Sequence, residues 1–428
     1  MKKRTLLGLL AVLPMSLLTA CGGGDDGSDA SVRLINASPG YASLDLYVED
    51  NKEVSAVTFG VASDFSNVSN GDVTTALTVT GSSTELLTQS RSFASGKSYS
   101  VVAYGWDGAL KSVVIPEDED EADAGETSFS VLNTASDAGS LDVYLTADSD
   151  SLDSSTAVRS GVEGGTRSAF STVTAGTYRL RVTANGDTSD VRLDVTGLVL
   201  PSKGVMTLIL TPTKGGLLVN GLTLQQKGGL TKQLTTKARA RVVANVASGA
   251  AVTMSAGDVS LSSASKSPAI KDYVLIDAGT VALNTSVDGT LLATQSLTVA
   301  AGSDVTFLVT GATPASAAVK VIQDDNRLPI QTTKYKIRLI HGSNLLAGEA
   351  LTLSIDLSDV VSDQEFATSS DFEDRTASSS SDLSVSSLSA TTPVFTVEDQ
   401  ALLAKGVYTM FVYDTAAGVA TGKLKRER

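Results

Sequence analysis

Leu34-Ile35-Asn36-Ala37-Ser38-Pro39-Gly40-Tyr41-Ala42-Ser43-Leu44-Asp45-Leu46-Tyr47-Val48 returns without a gap as Val131-Leu132-Asn133-Thr134-Ala135-Ser136-Asp137-Ala138-Gly139-Ser140-Leu141-Asp142-Val143-Tyr144-Leu145. In both copies an apolar run stops at an Asn and small and polar residues follow. Apolar and polar residues then alternate, with Leu44, Leu46 and Val48 set against Asp45 and Tyr47. Alternation with period two is the mark of a strand with one buried face. Two further copies have drifted. One begins at Arg241-Val242-Val243-Ala244 and resumes at Val252-Thr253-Met254-Ser255; the other begins at Arg338-Leu339-Ile340-His341 and resumes at Leu351-Thr352-Leu353-Ser354.

With Arg33, Ser130, Arg241 and Arg338 as equivalent positions, the repeat is about one hundred residues long, the size of a domain and too long for a solenoid. Its later landmarks recur too. Gly96, Gly204, Gly302 and Gly406 each precede an apolar strand, and Phe65-Ser66-Asn67-Val68 matches Phe170-Ser171-Thr172-Val173. Turn residues separate the short strands, as in sandwiches. The expectation is an all-β chain of four tandem immunoglobulin-like or transthyretin-like β-sandwich domains, set in a row at residues 32–116, 127–224, 237–322 and 334–428. Residues 117–126, with the acidic run 117–123, read as a solvated linker. Residues 225–236 and 323–333 read as the other two spacers. The Ser/Asp-rich stretch 358–392 reads as a long mobile loop.

Upstream of the repeats, Lys2, Lys3 and Arg4 precede an apolar run over residues 6–18 that Pro14 interrupts. That run is shorter than the about 20 helical residues a bilayer core requires, so it reads as an export signal over residues 1–20. Leu18-Thr19-Ala20-Cys21 is similar to a bacterial lipobox, which implies a lipid on Cys21. The polar, glycine-rich stretch over residues 21–31 then reads as a flexible tether. Cys21 is the sole cysteine of the 428 residues, so no disulfide can form within the chain. Gly22 stands where an Asp would imply retention at the inner membrane. The resemblance therefore implies an outer-membrane lipoprotein of a Gram-negative bacterium, facing the periplasm or the medium.

Arg33-Leu34-Ile35-Asn36-Ala37-Ser38-Pro39-Gly40 followed by Leu44-Asp45-Leu46-Tyr47-Val48 resembles the bacterial domain of unknown function 4397, as does Ala175-Gly176-Thr177-Tyr178. The third and fourth copies lack its Pro and its Asp-x-Tyr triplet. The resemblance implies tandem, exported, cell-surface domains and names no ligand.

Equipment for catalysis is sparse. His341, the single histidine, occupies the repeat position of Asn36, Asn133 and Ala244, where a polar turn residue suffices. One histidine and one cysteine cannot assemble common zinc ligation. Asp148-Ser149-Asp150-Ser151-Leu152-Asp153 resembles the start of a calcium loop, but Asp153 stands where that loop needs Gly and Arg159 where it needs Glu. Weak calcium binding at the run 117–123 is the one cofactor the residues allow. Gly418-Val419-Ala420-Thr421-Gly422-Lys423 is one residue short of a phosphate loop. Asp45 and Asp142 recur at one strand position but give way to Thr253 and Thr352, which reads as outward polarity. The basic stretch 423–428 reads as a solvated tail. With 33 basic and 47 acidic residues the net charge is −14, which disfavours nucleic acid as a partner.

The reading is a non-enzymatic, lipid-anchored envelope protein whose modules bind or adhere at the surface, or act as a spacer. Envelope glycan or protein is the expected partner, and Tyr41, Tyr47, Tyr144 and Trp106 are candidate contacts. The alternative is a polysaccharide hydrolase using Asp/Glu carboxylates.

Overall fold

The structure is a computed structural model, and residues 29–428 are described. The signal at residues 1–20, Cys21 and most of the tether lie outside the described residues. Strands dominate, and they sort into eight sheets, two for each successive stretch of chain. In the first unit, Ala30–Asn36 lies between Val61–Ala62 and Ser98–Tyr104, and Lys111–Pro116 closes that sheet. The facing sheet runs Asn51–Thr58, Ser43–Val48, Gly71–Val79, Glu85–Phe93. The other three units repeat this order, and in each the opening strand pairs in parallel with a late strand of the same unit, as Arg33 does with Ser100. Each unit has its own core between the two sheets. Leu34, Leu44, Leu46, Leu77 and Phe93 fill the first, for example, and Ile337, Leu339, Leu353, Leu383 and Met410 the fourth.

The repeated Asp45/Asp142 position lies on the strand face opposite the core residues, as its outward polarity predicts, but it is buried there instead of exposed. A bulge breaks the register beside it in the first two units, and its side chain receives the backbone N–H that the bulge frees. Asp45 is fully buried and accepts from Ala56 N at 2.8 Å, where φ is +57°. Asp142 accepts from Gly161 N at 2.7 Å, and Thr253 Oγ1 from Ala264 N at 3.1 Å. An oxygen acceptor is what the position requires, which is why Thr can replace Asp there. Burial raises the Asp45 carboxyl, but the Ala56 amide, Lys52 and Thr80 outweigh that and hold it below its ordinary value.

Three other expectations need correction. The serine-rich stretch 358–392 is not a mobile loop: it forms the strands Ser358–Gln364, Thr368–Ser369, Glu373–Thr376 and Ser378–Ser387. Ser381, Leu383, Val385 and Ser387 point inward while the residues between them face out, and one apolar face is all a strand needs. The run 117–123 does not begin as a solvated linker, because Glu117 is 1 % exposed and bonded to Arg33. Within 225–236, Leu230–Gln233 pairs with Val219–Gln225 as the edge of the second unit's sheet.

The units do not stand as independent beads. Their opening strands are buried on both faces, as in a sheet covered on both sides. Ile35, Val102 and Ile115 of the first unit meet Leu132, Ile209, Leu222 and Leu224 of the second in a separate buried cluster. Val243, Leu308 and Ile322 of the third meet Ile340 and Phe411 of the fourth in the same way. Each pair of units therefore packs sheet against sheet, like the two layers inside one sandwich.

Buried charge crosses these seams. Arg241 of the third unit donates to Glu427 of the fourth through both terminal nitrogens, each at 2.8 Å, and its guanidinium lies 4.4 Å from the Tyr273 ring centre. Arg338 of the fourth unit reaches Asp324 of the third. In the first pair Arg33 bonds Glu117 of its own unit at 2.8 and 2.9 Å and reaches Gly228 O of the second at 2.6 Å. The second unit carries Ser130 at the arginine position, hydrogen-bonded to Thr207.

Candidate binding cleft at the junction of the units

The repeated turn motif builds the support for Trp106. Asn36 Nδ2 donates to Tyr41 O and Val57 O, each at 3.1 Å, and its Oδ1 accepts from Ser38 N, which locks the turn. Ser38 Oγ then donates to Gly105 O at 2.5 Å, and Gly108 N donates to the Tyr41 hydroxyl at 3.1 Å. Gly40 lies so close that a Cβ would stand 2.5 Å from Asp107 N and 2.8 Å from Trp106 C, so only glycine fits. The motif Asn36-Ala37-Ser38-Pro39-Gly40-Tyr41 thus clamps the loop Gly105-Trp106-Asp107-Gly108 at both ends.

That loop meets the second unit and the connection between the third and fourth. Trp106 Nε1 donates to Asp137 Oδ2 at 2.5 Å, and Leu328 N donates to Asp137 Oδ1 at 3.3 Å. The Arg327 guanidinium, held by Asp325 at 2.7 and 2.8 Å, stacks 4.5 Å from the Trp106 ring centre. Arg428 completes the knot by donating to Asp137 O, to Asn326 O at 3.3 Å and to Gly216 O at 3.4 Å. Burial and the neighbouring Arg192 pull the Arg428 guanidinium down to about 10, and Asp137 opposes the shift. The stretch 423–428 is therefore no solvated tail: it carries part of the strand Ala420–Arg426, then buried Glu427 and the half-buried Arg428.

A cleft opens where these parts meet. Tyr104, Trp106, Pro212, Leu328 and Pro329 line it with apolar and aromatic surface, and Lys111, Ser136, Ile330, Thr332 and Lys405 stand exposed around it. It draws on the first, second and fourth units and on the connection before the fourth. Burial raises the Tyr104 hydroxyl above the ordinary phenol range, so it stands as a neutral donor. Trp106 also borders a second, more polar hollow with Lys336, Phe372 and Asp374.

Of the aromatic residues expected as contacts, Trp106 alone reaches the cleft. Tyr41 and Tyr144 are buried, at 6 % and 5 % exposure, and Tyr47 lies half-buried under Lys52. His341 is wholly buried, with Nε2 3.2 Å from Leu346 O and 3.3 Å from Glu349 O in its own turn and Phe366 edge-on to its ring. It plays the part that Asn133 plays toward Gly139 O and Val162 O. Burial pushes its pKa down, so the ring is neutral at neutral pH. Asp150 accepts from Ala147 N in its own loop, and Asp153 accepts from the Thr188 hydroxyl. Among the described residues no three His, Cys, Asp or Glu side chains gather as metal ligands would. Lys423 lies on a paired strand opposite Phe411, not in a phosphate-binding loop. Tyr104, Lys111, Asp137 and Lys405 were missed from sequence, since they are far apart in the chain and no local pattern marks them.

Residues 30–144 match the model of the domain of unknown function DUF4397. The matched stretch covers the first unit and runs into the second, so the Trp106 loop and the Asp137 turn that receives it both lie inside it. No curated protein matches. Among solved structures, the fimbrial anchor protein Mfa2 from Porphyromonas gingivalis shares 10 % identity over 47 % of this chain and 98 % of its own, with a TM-score of 0.22. A putative cell adhesion protein from Bacteroides uniformis shares 10 % over 47 % of this chain and 98 % of its own, with a TM-score of 0.20. The carbohydrate-binding module CBMbc of Eubacterium rectale Amy13K, solved with maltoheptaose, shares 14 % over 47 % and 97 %, with a TM-score of 0.16. At such scores these likenesses carry no argument about this chain.

Proposed function

We propose that this chain is a non-enzymatic, lipid-anchored cell-envelope protein that presents a rigid binding surface built jointly by its β-sandwich units. One observation carries the reading: the buried charged groups are spent on architecture. Arg33, Arg241 and Arg338 hold acids across or beside the seams, Asp45 and Asp142 pin bulges, and His341 fills a turn. Asp137, the one carboxylate lining the cleft, is held by Trp106 and Leu328. General acid–base chemistry needs a titratable group within hydrogen-bond reach of a reacting atom, and glycoside hydrolysis needs two carboxyls facing each other. The cleft offers aromatic and apolar surface ringed by hydrogen-bonding heads, the composition of a binding site.

Among the described residues no helix is long and apolar enough to cross a membrane. Attachment in this proposal comes from Cys21 and the lipobox around it, placing the chain on the outer membrane. Two measurements test the proposal. Fatty-acid labelling and membrane fractionation should show the full chain lipidated and sedimenting with membranes, with both lost in Cys21→Ser. Affinity capture from envelope extract with detergent-solubilised full chain should retain a glycan or protein component, and Lys111→Glu/Lys405→Glu should release it. Capture that is indifferent to the cleft variant, or turnover of envelope polysaccharide by the pure chain, would overturn the reading.

A further inference from the structure

We infer that the junction cleft takes an acidic saccharide, a uronate- or sialate-type residue, with its carboxylate met by Lys111 and Lys405. This rests on the binding role proposed above and names the ligand class. Three features argue for it. First, Lys111 and Lys405 are exposed at the cleft, and neither ammonium has an ion-pair partner among the described residues. Of the thirteen ion pairs among the described residues, eleven lie away from this cleft, and two, Arg327 and Lys336 each with Asp325, border the neighbouring hollow. In a chain of net charge −14, two free cations beside one aromatic pocket, with its only acid already engaged, mark a local reversal of sign. The remaining negative charge is screened beyond about 8 Å at physiological salt, so contacts at the cleft decide the preference.

Second, the hydroxyls of Tyr104, Ser136 and Thr332 have no hydrogen-bond partner among the described residues, and all three residues line the cleft. A ligand rich in hydroxyls can use several such heads at once. Third, Trp106, Pro212 and Pro329 supply flat apolar surface, which suits the C–H face of a sugar ring. Trp106 is fixed by Asp137 at its indole N–H and by Arg327 over the ring, so little ordering remains to be done on binding. An acidic peptide could use the lysines but would leave the ring of hydroxyls and the flat surface less well matched, so the saccharide is the better fit.

The test is an array of galacturonate, glucuronate, mannuronate and sialate oligosaccharides, each beside its methyl ester, probed with detergent-solubilised full chain. Binding to at least one acid is expected, at least about tenfold tighter than to its ester, the scale of a charge-assisted contact. Lys111→Glu/Lys405→Glu should abolish that preference, and Tyr104→Phe should weaken acid and ester alike. Tyr104→Phe deletes one hydroxyl and keeps the packing, so it guards against loss of fold in the charge-reversed variant. Equal affinity for acid and ester, or binding of poly-glutamate as tight as the best saccharide, would overturn the inference. So would silence across the array. If envelope capture still depends on the cleft when the array is silent, the ligand class fails while the binding role stands; if both fail, the role itself falls.

Discussion

The two pairs of units solve one problem in different ways. In both, the opening strand carries a polar position in the middle of an apolar seam. The second pair fills it twice with arginine and crosses the charges, Arg241 to Glu427 and Arg338 to Asp324. The first pair keeps one ion pair, Arg33 with Glu117, and makes the other position neutral as Ser130. By strand register the residue matching Glu117, Asp324 and Glu427 in the second unit is Gln226, whose side-chain amide accepts from Glu119 N and donates to Glu119 O. Where the arginine is gone, the acid is gone with it. That is what the cost of burying an unpaired charge demands, since a satisfied pair and a neutral pair are both tolerable and a half pair is not.

The comparison can be broken most directly at Arg241. Arg241→Met should strand Glu427 and cost about 3–5 kcal/mol, read as faster hydrogen exchange in the strands Lys237–Val246 and Val407–Asp414. A loss below about 1 kcal/mol would show that water reaches the seam. Phe411→Ala should cost about 3–5 kcal/mol in the second pair, and its counterpart Ile209→Ala about 2–5 in the first, because both seams are close-packed. Arg33→Ser alone should resemble Arg241→Met, but Arg33→Ser with Glu117→Gln copies the second unit's solution into the first. The double variant should recover most of the loss, to within about 1.5 kcal/mol of the parent in a denaturation cycle. No recovery would mean that the matched loss of charge is coincidence.

Smaller effects test single positions. Asp45→Thr, the choice made at Thr253, should cost less than Asp45→Ala, which leaves the Ala56 amide unpaired at about 1–3 kcal/mol. Because the Asp45 carboxyl is held below its unfolded value, its contribution is complete above about pH 4 and fades as the pH drops further. His341→Asn should matter least at neutral pH. Burial lowers the folded pKa, so below about pH 6.5 the unfolded chain takes up a proton that the folded chain refuses, and stability declines with pH. The Asn variant should flatten that decline between pH 6.5 and 5 in urea titrations, and an unchanged slope would place the sensitivity elsewhere.

Much of this architecture is visible in one dimension. Leu44, Leu46 and Val48 alternate, and so do Leu383 and Val385 among serines, because a strand needs only one apolar face. The serine-rich stretch misled by composition, although its alternation was in plain view. Glu117 misled by its neighbours: six of the seven residues in its run are acidic, and nothing local reveals an arginine 84 positions upstream. The pairing of units had a signal as well. Ile35, Leu132, Val243 and Ile340 lie on the face of each opening strand that a lone sandwich would give to solvent. The cleft had none, since Tyr104, Asp137, Leu328 and Lys405 meet only once four sheets have docked.

The parallel pairing of each opening strand with a late strand of its own unit has a consequence for how the chain is made. For a polypeptide delivered residue by residue from its amino end, Arg33 waits 67 positions for Ser100, and Arg241 waits 186 for Glu427. Such long-range closure is slow. Until it happens, a strand built for burial on both faces is uncovered, so folding should call for a factor that shields nascent edges, most of all for the third unit.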